Sequence, residues 1–79
     1  MSSRETLEFV VGFLVDNPDD IRVEESAGER TVYYDLFVHP DDVGKVIGRG
    51  GRIARALRTV VKAAAAREDR SAVVEIVDH

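Results

Sequence analysis

From Val43 to Arg67 the chain reads VGKVIGRGGRIARALRTVVKAAAAR, and inside that run Gly48, Arg49, Gly50 and Gly51 separate two stretches that both pattern as helix. Glycines so closely spaced do not continue a helix cheaply, because glycine loses more backbone freedom on ordering than any other residue. They are the natural residues where the backbone must turn through left-handed conformations or let another chain come close. A helix, a sharp turn and a second helix in immediate succession therefore have to fit inside any fold this chain adopts.

Charge is segregated around the same turn. No Asp or Glu occurs from Val43 to Arg67, whereas Lys45, Arg49, Arg52, Arg55, Arg58, Lys62 and Arg67 are all basic. The whole chain nonetheless carries a formal net charge of -4 at pH 7. A basic face on an acidic body attracts a polyanion locally while the remaining surface discourages indiscriminate binding. Seventy-nine residues make a single domain, spanning 1–79, and the absence of cysteine excludes disulfides, thiolate zinc sites and a cysteine nucleophile together. The longest apolar run, Phe9 to Val15, is far shorter than the roughly 20 residues of a membrane span. Glu5 and Glu8 stand where a signal peptide carries positive charge, so the expected location is the cytoplasm.

The flanking segments complete the element order. Ser2 with Glu5 forms a capping-box pattern, and Leu7, Val10, Val11 and Leu14 follow at helical spacing. Phe9 and Phe13 widen that apolar face beyond what one packing surface needs and are expected in the core, with a partner surface as the alternative use. Asn17-Pro18-Asp19-Asp20 ends the helix, since a residue before proline is pushed out of the α region. Ile21 to Ser26 and Thr31 to His39 alternate as two strands of a hairpin, with Val32, Tyr34, Leu36 and Val38 on one face and Tyr33 and Phe37 on the other, expected to be packed under a helix or half-exposed rather than to serve as base-stacking platforms. His39-Pro40-Asp41-Asp42 opens a short second helix, where proline suits the first turn and the acids complement the dipole. Arg52 to about Arg67 forms the third helix, and Ala72 to Val77 the last strand.

On the third helix, at about 100° per residue, Ile53, Leu57, Val60, Val61 and Ala64 gather on one side as core, and Arg52, Arg55, Arg58 and Lys62 occupy roughly the opposite arc. A solvated helix face normally mixes signs; this one has no acidic partner. Unpaired N–H groups and the positive dipole end at a helix start, behind glycines that permit close approach, make an anion site to which Arg49 adds a charge-assisted contact. Spacing decides which anion. A P-loop requires Gly-Lys-Ser/Thr, which does not occur, and Ile53 stands where a dinucleotide fingerprint needs its last glycine.

What remains is helix, Gly48-Arg49-Gly50-Gly51, helix, beside a small sheet. This arrangement resembles the KH domain, whose GxxG loop clamps the backbone of about four unpaired nucleotides. The longer run VGKVIGRGGRIARALRTVVKAAAARE, closed by VVEIVD and preceded by DNPDDI and a hairpin, closely resembles the bacterial single-KH-domain family KhpA over essentially the whole chain. The resemblance implies an α+β fold of type II KH topology, α-β-β-α-α-β, with three helices packed on one face of a three-stranded sheet. It implies that Gly48, Arg49, Gly50 and Gly51 take the phosphates with Lys45 and Arg52 beside them. Val46, Ile47 and Ile53 would then wall an apolar groove for bases, and the strand holding Val74 and Ile76 would form its far side. Arg55 and Arg58 extend the attraction along the helix.

The expected function is that of a non-enzymatic RNA-binding protein acting on single-stranded RNA, as an RNA chaperone or post-transcriptional regulator. One such site makes few phosphate contacts, so self-association or pairing with a second RNA-binding protein is expected. Members of the resembled family form homodimers and pair with a larger KH-containing protein. The broad face of the first helix and the third-helix surface near the loop are the two candidate interfaces. A protein-interaction adaptor on the same scaffold stands as the alternative, against which the unmixed basic stripe speaks. No cofactor is implied, and neither His39 nor His79 has companions for metal binding or general-base chemistry.

Overall fold

The computed structural model describes residues 1–78. Helix α1 spans Ser3–Leu14 and opens with a complete capping box: the Ser2 hydroxyl accepts from the Glu5 N–H while the Glu5 carboxylate accepts from the Ser2 N–H. Those bonds from Ser2 hold the Glu5 carboxyl below its ordinary range. A single 3-10 turn at Pro18–Asp20 leads into β1 (Arg22–Ala27) and β2 (Thr31–Phe37). A second such turn, Pro40–Asp42, leads into α2 (Val43–Ile47), and after the glycines come α3 (Arg52–Ala66) and β3 (Ser71–Ile76). The element order is the expected one, helix, strand, strand, helix, helix, strand.

The sheet order is β1-β2-β3. β1 and β2 are antiparallel, from Arg22 opposite Phe37 to Ala27 opposite Val32, as a short turn allows. β2 and β3 are parallel, from Thr31 opposite Ser71 to Leu36 opposite Ile76, and the required crossover is supplied by α2 and α3. Val32, Tyr34 and Leu36 alternate inward on β2, and Ala72 and Val74 on β3. Leu7 and Val11 of α1, Val46 of α2 and Leu57, Val61 and Ala65 of α3 meet them in one core. Each fully buried Leu or Val contributes about 1.5–3 kcal/mol relative to exposure. The buried Tyr34 hydroxyl shares a hydrogen bond with the buried Ser3 hydroxyl, so the one polar atom carried into the core by that ring is satisfied.

Two expectations about apolar residues are corrected. Phe9 and Phe13 are not core: they are 56% and 76% exposed and pack edge to face on each other at 5.0 Å. The core stripe of α1 is narrow, Leu7 and Val11 with Ser3, and the two rings fall outside it. Val60 likewise lies exposed on the flank of α3, while Ala54, Leu57, Val61, Ala64 and Ala65 form the buried face. The helix packs so closely that alanines serve as its contact surface.

Candidate nucleic-acid interface

The turn between α2 and α3 is built on positive backbone angles. Gly48 has φ 76° and ψ 172°, a region essentially restricted to glycine, and Gly50 and Gly51 are left-handed at φ 63° and 76°. Gly48 is required twice over, because a Cβ there would stand 2.6 Å from Cγ1 of Ile53. Gly50 faces open space, with nothing within 4 Å of where a Cβ would stand, and it and Arg49 are the exposed residues of the turn. The Arg55 guanidinium donates to the Gly50 carbonyl at 3.0 Å and braces the turn from the first turns of α3.

A buried carboxylate fixes where this turn sits. Asp42, at the start of α2, is fully buried. It accepts from the N–H of Asn17 at 3.0 Å, from the Asn17 side-chain amide at 3.1 Å and from Lys45 Nζ at 3.2 Å. Burial alone pushes this carboxyl up, but the hydrogen bonds from Asn17, Lys45 and the Asp16 backbone outweigh it and bring it down from 3.8 to about 2. The helix-dipole role expected from its position is therefore secondary: Asp42 ties the end of α1 to the start of α2. The signal was present in the sequence as Asn17 and Asp42, but nothing in a linear reading pairs residues that far apart.

Lys45 is committed to the same network. Its ammonium lies 2.9 Å from Asp16 and 3.2 Å from Asp42, and the bonds to Asp16 and then Asp42 raise its pKa. Lys45, expected beside the loop, thus stands in α2 with two carboxylate partners. Arg49 and Arg52 are exposed and have no carboxylate partner among the described residues. Arg58 donates from Nε to the Val74 carbonyl at 3.1 Å, joining α3 to the free edge of β3.

The residues expected to wall a groove separate onto different surfaces. Val46 is fully buried and supports the turn from beneath. Ile47 and Ile76 are half-buried against the core and retain accessible surface, whereas Val74 is buried. Ile53 packs on Gly48 and lines a different groove, of about 290 Å³, together with Val10, Leu14, Ala56 and Val60 between α1 and α3. Helix α3 thus has three faces: the core, a basic flank toward the β3 edge, and an apolar flank toward α1. A two-sided division of the helical wheel merged the first and third.

Among the described residues no group of His, Asp and Glu side chains is placed to hold a metal ion, and no helix is long and apolar enough to cross a membrane. His39 caps the turn before α2 by accepting from the Asp41 N–H at 3.0 Å, and His79 lies outside the described residues.

The family described as the KhpA/KhpB KH domain matches residues 4–76. The RNA-binding protein KhpA of Clostridium perfringens is 51% identical over 74 residues, which cover 94% of this chain and 99% of that protein. The protein of the same name from Clostridium acetobutylicum is 50% identical over 74 residues, again 94% and 99% of the two chains. The Streptomyces coelicolor protein, also named RNA-binding protein KhpA, is 53% identical over 75 residues, 95% of this chain and 94% of its own. No solved structure matches the chain.

Proposed function

Because this chain belongs to the KhpA/KhpB KH-domain family, we propose that it is a non-enzymatic, cytoplasmic protein that binds short single-stranded RNA and acts as an RNA chaperone or post-transcriptional regulator. The observation that carries this reading is the glycine turn itself. Three glycines at positive φ leave the backbone open at Gly50, Arg49 within the turn and Arg52 just after it have no carboxylate partner among the described residues, and α3 begins directly behind it. Phosphates of about four nucleotides sit on Gly48–Gly51 and the N-terminal end of α3, neutralised by Arg49 and Arg52. Arg55 contributes by holding the Gly50 carbonyl, and Arg58 by lying along the β3 edge. Ile47 and Ile76 supply the apolar surface beside the bases, with Val46 beneath; Ile53 acts by buttressing Gly48.

The test replaces Arg49 and Gly50 together with Asp and follows binding of a short unstructured RNA by fluorescence anisotropy, with circular dichroism as the folding control. Affinity is expected to fall by at least about tenfold, and the wild-type salt slope to correspond to a few phosphates at roughly 0.7 each. A folded variant with unchanged RNA affinity overturns the reading.

A specific observation also supports self-association. Phe9 and Phe13 stand exposed next to the apolar groove of α1 and α3, and such a patch marks an interaction site. A second copy docking there joins two weak RNA sites into one stronger binder; a larger KH-containing RNA-binding protein is the competing occupant. Sedimentation of the wild type and of Phe13→Ser distinguishes them, since a homodimer that persists in the variant excludes this face. A pure adaptor would keep its partner in the Arg49 and Gly50 variant and show no RNA binding in the wild type.

A further inference from the structure

The basic flank does not end with α3. Lys62 lines a cleft of about 420 Å³ with Ala66, Arg70, Ser71 and Val73, between the C-terminal half of α3 and the start of β3. A second cleft, of about 290 Å³, shares Ala66, Arg70 and Ser71 with the first and continues to Arg30 and Asp69. Arg30 and Arg70 each immediately precede a strand, and those strands are parallel partners from Thr31 and Ser71 onward. The Ser71 N–H donates to the Arg30 carbonyl at 2.8 Å, so the two arginines stand side by side at one corner of the sheet. Just inside that corner Tyr33 pairs with Val73, and both lie on the face turned away from the helices, 47% and 45% exposed.

Neither Arg30, Lys62 nor Arg70 has a carboxylate partner among the described residues. The acids nearby have a definite arrangement. Asp69 borders the second cleft and Glu29 precedes Arg30, while Asp35 and Glu75 face each other two residues beyond Tyr33 and Val73 on the same face of the sheet. That acidic pair repels a nucleic acid crossing the middle of the sheet and confines it to the corner. From Arg52 to Lys62 the helix rises about 15 Å, along a segment with no acidic residue. A strand leaving the glycine turn along α3 therefore passes no acidic residue of that helix before it reaches Lys62.

We infer that this corner is a second contact surface for single-stranded RNA, in which Arg30, Lys62 and Arg70 hold phosphates and the Tyr33 ring takes one stacked base. A positive track with an exposed aromatic face is the combination by which single strands are held without regard to sequence. The inference rests on the RNA-binding reading above and lengthens its footprint beyond the about four nucleotides of the glycine turn.

The test compares fluorescein-labelled uridine oligonucleotides of two lengths, a tetramer and a decamer, on the full chain. Tyr33→Ala is expected to weaken the decamer by about fivefold or more, the lower range for loss of a base–aromatic stack, and to leave the tetramer within about twofold. Tyr33→Phe keeps wild-type affinity for both. The pair Arg30→Gln and Arg70→Gln lowers the salt slope for the decamer by about 1.4, two contacts at roughly 0.7 each. Melting curves check that each variant folds. If the variants bind the decamer as the wild type does, the second surface is overturned and the glycine-turn reading stands. If the wild type binds neither oligonucleotide, both fall.

Discussion

Cations in this protein are used in two ways, and the division follows the fold. Arg4 pairs with Glu8 and Glu25 and also donates to the Val23 carbonyl; Arg22 pairs with Glu24 and lies over the Phe37 ring; Lys45 is held by Asp16 and Asp42. These contacts connect α1, β1 and the entry to α2. From Arg49 through Arg70, by contrast, no Arg or Lys has a carboxylate partner among the described residues, and the two that are hydrogen-bonded, Arg55 and Arg58, bond to backbone carbonyls that leave their charge uncompensated. A domain this small folds with little surplus. Leaving the cations of one face uncompensated, on a chain with enough acids to pair them, is intelligible if the compensating charge comes from outside.

The contrast can be broken by substitutions on either side, and the largest effect is expected at its hinge. Asp42→Asn leaves Lys45 and Asn17 without their shared acceptor and lowers the melting temperature more than any surface change, by on the order of 10 °C. The same residue sets an acid limit. Its carboxyl lies below its ordinary value in the folded state, so the stability it confers is present above pH about 4 and is lost as the pH falls toward about 2. Thermal melts followed by circular dichroism at pH 7 and pH 3 measure the loss, which should be smaller in Asp42→Asn than in the wild type.

Next in size is Gly48→Ala, which forces a side chain into a backbone region that only glycine uses and against Ile53. A destabilisation of about 2–3 kcal/mol is expected in urea unfolding. Adding Ile53→Ala relieves the contact but not the backbone, so recovery should be partial; full recovery would mean that sterics alone select the glycine.

Arg52→Gln sharpens the comparison from the other side. Stability should change by less than about 0.5 kcal/mol, while the RNA affinity falls and its salt slope decreases by roughly 0.7. Lys45→Gln should do the reverse, costing stability with a salt slope unchanged. Equal effects of both on RNA binding would erase the distinction between paired and unpaired cations. Phe13→Ser is expected to be the least consequential for folding, because the ring is exposed, and to be read only in sedimentation.

Local rules reach most of the architecture. Ser2 with Glu5 announced α1, Pro18 and Pro40 placed the turns, and the alternation from Val32 to Val38 marked the central strand with its inward face correct at Val32, Tyr34 and Leu36. Gly48 to Gly51 are legible as a turn because glycine clustering has few other physical uses, and the acid-free run makes its charge visible in the sequence itself. These features depend on neighbours within a few residues, so the sequence alone determined them.

Contacts between distant segments decided the rest. Whether Phe9 or Leu7 enters the core depends on which side of α1 meets the sheet, and an apolar face wider than its contact surface cannot say which residues are left over. Ile53 and Val60 read as core on a wheel with two sides, but α3 touches both sheet and α1 and leaves a third face open. Lys45 read as a cation beside the loop, and only the fold brings Asp16 and Asp42 to it from either side of the hairpin. The sequence determined that a glycine turn and a helix without acidic residues adjoin; the tertiary structure alone decided which cations stay unpaired, because pairing is a matter of distances that only the assembled chain sets.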